Sequence, residues 1–303
     1  VVKTRLVAIS VAMTVLLPVF AARSTATEPD GHSLNVGMVK GMFRDVQPAL
    51  LQVFSRPFRE LMLQQSGYTG EITILPDAFQ LADSLKNRQC HLGVFHGFEF
   101  AWVKQRHPDL EPLVVTVPPG RKVQACLVVH KDHQAKTLSD IGDECVILPR
   151  GTKSHCLLFL EKLRSNLSPQ RAMPKTLINK TAEDVLNSVV SCESCCCLVD
   201  AAALAGYQAL HPGAYKQLRV LSESESFPQS VIAYRKGDLS DTAVAKLKAG
   251  LLQAHRSPAG RPLMMLWNLK GFEEVPADYP SQLDAISKSY PAPELPLREQ
   301  ATD

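Results

Sequence analysis

The sequence predicts an α/β protein built as two lobes. Two observations carry this. Short apolar runs alternate with helical segments in units of about 30 residues, the pattern of a parallel sheet with crossover helices. The chain has 303 residues, 45% of them hydrophobic, which fits two lobes better than one compact domain.

The elements follow in order. After a polar spacer from Ser24 to His32, Leu34–Val39 reads as the first strand. Pro48–Phe54 and Pro57–Gln65 read as helical pieces, the second opened by Ser55 and Pro57 and stopped at Gly67. Ile72–Leu75 is a short strand, and Asp77 caps a helix over Ala78–Lys86. Leu92–Phe95 is a buried strand. Leu113–Val117 and Cys126–Val129 are strands on either side of the turn Pro118-Pro119-Gly120. Leu138 opens a short helical step and Cys145–Leu148 is again a strand. The loop Pro149–Ser154 runs into a helix whose Leu157, Leu160, Leu163 and Leu167 share one face. Ala182–Val190 is a helix and Cys195–Val199 a strand. Gln229–Tyr234 is the return strand, Ser240 caps the helix Thr242–His255, and Ala259–Trp267 is the last helix of the compact part.

The first stretch has the grammar of an export signal. Lys3 and Arg5 form a basic n-region, Leu6–Ala22 is mostly apolar, and small residues follow. This predicts a signal peptide over 1–26 and a periplasmic protein, with no cysteine placed for a lipid anchor. The formal charge of +3 includes Lys3, Arg5 and Arg23 of that segment, so the mature chain is near neutral. A near-neutral balance gives neither nucleic acid nor an anionic membrane an electrostatic handle.

Several strings, taken in order, resemble one family. They are Leu92-Gly93-Val94-Phe95-His96-Gly97-Phe98-Glu99-Phe100-Ala101, then Leu138-Ser139-Asp140-Ile141, then Arg150-Gly151-Thr152-Lys153-Ser154. Val199-Asp200-Ala201-Ala202-Ala203, Ser226-Phe227-Pro228, Ser257-Pro258-Ala259-Gly260, Gly271-Phe272-Glu273-Glu274-Val275 and Asp278-Tyr279 complete the set. Over about Leu34 to Ile286 the chain resembles the phosphate/phosphite/phosphonate-type substrate-binding proteins of ABC transporters. These are a branch of the type II periplasmic binding proteins. The resemblance implies two lobes joined by two crossing segments over a ligand cleft. The first lobe would be 32–123 plus 229–287, the second 124–228, and 288–303 a flexible tail. It further implies a monomer that captures a small anion, such as a phosphonate, phosphite or phosphate, and docks on an ABC permease. It implies no catalysis, cofactor or metal.

Gly151, Thr152, Lys153 and Ser154 are the first site candidates. They follow a strand and open a helix, where unpaired amides and partial positive charge favour an anion. The alternative is an ordinary cap, with Thr152 or Ser154 bonding its own helix. The family has Ser-Thr-Ser here, so Lys153 is a departure. His96, Glu99 and Phe100 follow the third strand, where the family carries an aromatic, usually tyrosine, that reaches the ligand. Phe100 fills that place without a hydroxyl, and a capping Glu99 with a surface His96 is the alternative. Phe43 lies after the first strand, as cleft wall or core. Asp200 ends a buried strand, as ligand acceptor or helix cap. The family histidine ahead of the preceding helix is replaced by Thr181 or Ala182.

Four of the eight cysteines crowd into 192–197. Buried packing on a core strand, a local disulfide and metal binding at the Cys192-x-x-Cys195 spacing all remain open. Two rival functions stand beside transport. One is a thiamine-precursor-synthase-like enzyme on the same scaffold, using His96, His155 and the cysteines. The other is an exported ligand sensor.

Overall fold

The computed structural model describes residues 33–43, 58–64, 66–120, 122–141, 146–166, 176–179, 181–192 and 195–293. The signal segment, the helical piece Pro48–Phe54 and Cys145 lie outside the described residues.

The first sheet has six strands: β1 (Ser33–Val39), β2 (Thr69–Leu75), β3 (Leu92–Phe95), β4 (Leu110–Val117), β10 (Val231–Arg235) and β11 (Gly271–Glu273). Their spatial order is β11-β4-β10-β3-β1-β2. β1 runs parallel to β2 and β3, whereas β10 is antiparallel between β3 and β4. The second sheet has five: β5 (Ala125–His130), β6 (Val146–Pro149), β7 (Thr176–Asn179), β8 (Cys196–Asp200) and β9 (Leu218–Glu223), ordered β7-β6-β8-β5-β9. β6 runs parallel to β7 and β8, and β5 is antiparallel to β8 and β9. The plan is the same in both lobes. A parallel three-strand core is extended by an antiparallel strand, β10 or β5, that follows directly on a segment arriving from the other lobe.

Helices, among them the short α4 (Leu138–Ile141) and α8 (Pro212–Tyr215) and the longer α9 (Asp241–Gln253), cover both faces of each sheet, as parallel sheets require. In the first lobe, Val36, Met38, Leu92 and Val94 meet Leu61 and Met62 of helix α1 (58–64). On the opposite face Val39 and Phe95 join Leu81 and Leu85 of α2 (Ala78–Lys86) and Phe100 of α3 (Gly97–Arg106). Tyr279 and Leu283 of α11 (Tyr279–Ser289) close that layer. In the second lobe, alternate residues of β5 and β8 face two layers. Leu127 and Leu198 pack with Phe159 and Leu160 of α5 (Ser154–Ser165). Val128 and Cys197 pack with Val185 and Val189 of α6 (Ala182–Val190) and Tyr207 of α7 (Ala201–Leu210). Burying apolar side chains on both faces supplies most of the driving force at roughly 25 cal/mol per Å².

Caps set the helix starts. Gln80 N donates to Asp77 Oδ1 at 2.8 Å ahead of α2. Thr181 and Asp184 exchange hydrogen bonds ahead of α6, so Thr181 serves as a cap where the resemblance places a histidine.

Two segments, 118–124 and 224–230, cross between the lobes. They pair through a bridge between Val123 and Phe227, with Phe227 N donating to Val123 O at 2.8 Å. Ala125 N donates to Ser224 Oγ at 2.9 Å just beyond.

Of the flexible tail expected over 288–303, the start is corrected by the structure, and 294–303 lie outside the described residues. α11 runs to Ser289, and Tyr290 is buried. Its hydroxyl donates to Glu225 Oε2 at 2.6 Å, its ring meets Phe227 at 4.8 Å, and its carbonyl accepts from Trp102 Nε1 at 2.8 Å. An aromatic residue with three satisfied contacts has a reason to stay docked that composition does not reveal.

Among the cysteines, Cys192 and Cys195 form a disulfide. Cys90, Cys126, Cys156 and Cys197 are free and buried, and Cys196 is buried in the core on β8, which is the packing reading.

Candidate functional site

A continuous cavity of about 570 Å³ lies where the lobes meet. Ringing one end are the caps of three helices. His96 precedes α3, Lys153 precedes α5 and Asp200 precedes α7, and all three line the cavity. Each of these helices has ten residues or more and follows directly on a strand end or its loop. This is the crevice outside the carboxyl ends of strands where open α/β sheets bind ligands. Each helix start carries roughly half a positive charge. Ser154 and His155, the first residues of α5, line the same end, with Lys122, Gln124 and Ser230 from the crossing segments and Thr116 from the end of β4. Gly41, in the turn after β1, faces them: a Cβ built there would lie 3.6 Å from Ser154 Oγ. The lobes are therefore in contact across the site.

The caps are differently made. Ala203 N donates to Asp200 Oδ1 at 2.7 Å, so Asp200 is a cap as well as a cavity-lining residue. His96 N donates to Glu99 Oε2 at 3.2 Å, one half of a capping box. Lys153 makes no side-chain cap bond, is exposed, and lines the cavity.

His155 has its Nε2 buried without a hydrogen-bond partner. Burial pushes its imidazole down to about 4, against the opposing pulls of Asp200 and the Gln124 carbonyl, with Lys153 adding to the fall. The ring is thus neutral at physiological pH. An aromatic chain joins it to His96. His155 meets Phe227 at 5.5 Å, Phe227 meets Phe98 at 5.8 Å, and Phe98 stacks on His96 at 5.4 Å.

Beyond this polar end the wall is apolar. Met38, Leu92, Val94 and Ile232 contribute from the first sheet, Phe58, Leu61 and Met62 from α1, and Trp267, Leu269 and Phe272 from the chain after α10 (Gly260–Leu266).

Four of the nine sequence-predicted site residues line the cavity: His96, Lys153, Ser154 and Asp200. The others do not. Phe100 is wholly buried against Phe95 at 5.7 Å, because a ring without a hydroxyl is more stable in the dry layer beneath β3. Phe43 packs into the layer on the other side of the sheet, while its neighbours Gly41 and Met42 line the cavity. Glu99 is occupied as a cap. Thr152 donates its hydroxyl to Pro149 O at 2.6 Å, and Gly151 has φ +71°, so these two close the turn on itself. The cavity residues that sequence reasoning missed include His155, named only in the enzyme reading, and the apolar wall. The position of His155 beside Ser154 on a helix start was the available signal.

Burial pushes the Cys126 thiol up to about 12 and raises those of Cys156 and Cys197 as well. Among the described residues no group of three or more histidine, cysteine or acidic side chains is placed to hold a metal.

Two lobes on one strand plan, joined by paired crossing segments over a cleft ringed by helix starts, define a type II periplasmic binding protein. The chain belongs to the family of ABC-transporter phosphonate periplasmic substrate-binding proteins, whose sequence pattern matches residues 41–279. It is thus a solute-binding protein of the ABC-importer class. Solved structures show the same fold. The XAC2383 protein of Xanthomonas citri, bound to chloride ion, is 21% identical, with 86% of this chain and 98% of that chain covered and a TM-score of 0.57. PhnD1 of Prochlorococcus marinus, in complex with methylphosphonate, is 11% identical, with 85% and 97% covered and a TM-score of 0.56. A binding-protein component of an ABC phosphonate transporter (PA3383) from Pseudomonas aeruginosa is 17% identical, with 86% and 88% covered and a TM-score of 0.55. No curated protein matches the chain.

Proposed function

We propose that the protein captures an oxyanion of the phosphonate, phosphite or phosphate type in this cavity and presents it to an ABC permease. The observation that carries the reading is the convergence of three helix starts, one from the first lobe and two from the second, on one polar cavity end. Two lysines, Lys122 and Lys153, face that end against one carboxylate, Asp200. Ser154 lines that end and supplies a hydroxyl, and a helix start such as that of α5 is where anions bind in other proteins. Affinity drawn from both lobes favours the closed form, which is the form a permease would recognise. Export to the periplasm and action as a monomer belong to the same reading, supported by the family and by the basic and apolar segment at the start of the chain.

Binding without turnover is the second part of the proposal. Buried thiols held protonated are poor nucleophiles, and a neutral, desolvated His155 is a weak base at neutral pH. The experiment is a thermal-shift panel on the mature protein with phosphonates, phosphite, phosphate and sulfonates. A ligand that binds only the folded state raises Tm. A rise with at least one of these anions, lost in the double variant Lys153→Ala, Ser154→Ala, supports the site. A flat panel overturns the anion reading, and a rise that survives both substitutions moves the site elsewhere.

A further inference from the structure

The cavity is larger and more apolar than a compact oxyanion needs. At about 570 Å³ it has room for well over a dozen water molecules, each of which occupies roughly 30 Å³ in the liquid. Its polar groups gather at the helix starts. Away from them the wall runs over Met38, Leu61, Met62, Val94, Ile232 and Phe272, all of them shielded from solvent. Those residues belong to the apolar layer on one face of the first sheet, so the cavity continues from the cleft into that layer. An apolar void left unfilled in such a layer lowers stability in proportion to its volume. Water is a poor filler, because a stable buried water needs two or more polar partners. At the other end, His155 Nε2 is buried without a partner among the polar groups that line the cavity. The two ends therefore ask for two different chemistries in one occupant.

We propose that the ligand is an amphipathic oxyanion, with its charged headgroup at the starts of α5 and α7 and a hydrocarbon tail laid along the chamber between α1 and the first sheet. This rests on the anion reading above and specifies its substrate class as alkyl-substituted rather than inorganic. The headgroup meets Lys153, Ser154 and His155, and it faces the Asp200 carboxylate, which a monoanion tolerates better than a dianion. Met38 and Met62 suit the tail end, since unbranched thioether side chains adapt to chains of different length. Trp267 lines the chamber, whereas Trp102, the second of two tryptophans, is bonded to Tyr290 on the opposite face of the first sheet.

The test is a titration of the mature protein with methyl-, butyl- and octylphosphonate, octylsulfonate and octan-1-ol, followed by calorimetry and by tryptophan emission. Each added methylene should tighten binding by about three- to four-fold until the chamber is filled. Octylphosphonate should therefore bind more than about a hundred-fold tighter than methylphosphonate. In a Trp102→Phe background, the emission of Trp267 should shift to the blue with the octyl compounds and stay put with methylphosphonate. Met62→Phe should weaken octylphosphonate by about ten-fold, a larger loss than for methylphosphonate. Octylphosphonate no tighter than methylphosphonate overturns the inference and leaves the anion site standing. Octan-1-ol binding as tightly as octylphosphonate overturns the headgroup contact on which it rests. The ligand series uses the wild-type chain, so neither outcome depends on a variant folding.

Discussion

The two lobes share a strand plan and differ in what they present to the cleft. The second lobe offers helix starts and hydrophilic side chains: Lys153, Ser154, His155 and Asp200. The first offers His96 and then a long apolar surface from its strands and α1. The difference follows from where the cavity meets each sheet. In the second lobe it touches the start of the helix after β6 and the end of β8, at helix starts where amides lack helical partners. In the first it also runs past strand ends onto the face of β1, β3 and β10, where period-two alternation has placed apolar residues. One topology thus yields a charge-reading half and a shape-reading half, and the asymmetry lies in side chains rather than in backbone.

The comparison can be broken first at the strap between the halves. Tyr290 touches Phe227, Glu225 and Trp102, so Tyr290→Ala should cost about 3–5 kcal/mol, seen as a lower denaturation midpoint, and should loosen both lobes together. If only one half lost protection in hydrogen exchange, the strap would not join them.

The next test concerns the second lobe alone. His155 titrates near 4 in the folded protein against an ordinary 6.5, so between these values the unfolded chain holds a proton that the folded chain does not. Stability should therefore fall as pH drops from 6.5 towards 4, by up to about 3 kcal/mol, and level off below. The groups that face the ring, Asp200, Lys153 and the Gln124 carbonyl, set where the window lies. His155→Gln should flatten this part of the urea-midpoint profile, and an unchanged slope would refute the assignment.

Smaller effects sharpen the division of labour. Lys153→Glu should weaken a bound oxyanion by roughly ten-fold at low salt and by less at high salt, because the residue is exposed. Asp200→Asn keeps a capping side chain for Ala203 N and removes a negative charge, so sulfonate binding should tighten by a few-fold. A sulfonate has no proton to offer a carboxylate, so weakened binding would count against this geometry. Thr152→Ala should cost about 1 kcal/mol of stability and leave affinity unchanged, since its hydroxyl is spent on Pro149 O.

Much of the fold was legible because caps and periodicity agree locally. Asp77 and Thr181 mark α2 and α6, whose bounds match the sequence reading residue for residue. β9 was not legible: Leu218–Glu223 is half-buried along most of its length at a sheet edge, so it shows no clean alternation. β7 is four residues at the other edge, too short to stand out. At the site, strand-to-helix junctions pointed to His96, Lys153, Ser154 and Asp200. Phe100 was misplaced because family position was followed where the chemistry had changed from a phenol to a hydrocarbon ring. The apolar wall was invisible for a different reason. Its residues run from Val36 to Phe272, and each reads in sequence as an ordinary core residue of its own element.

Phe227 sits in a crossing segment, with His155 against its ring on one side and Phe98 and Tyr290 on others. Gaping of the jaws would have to peel some of these rings from one another and wet them. That penalty applies whether or not cargo is aboard, so the vacant receptor should rest nearly shut. Loading would then be paced by brief spontaneous yawning rather than by diffusion to an open mouth.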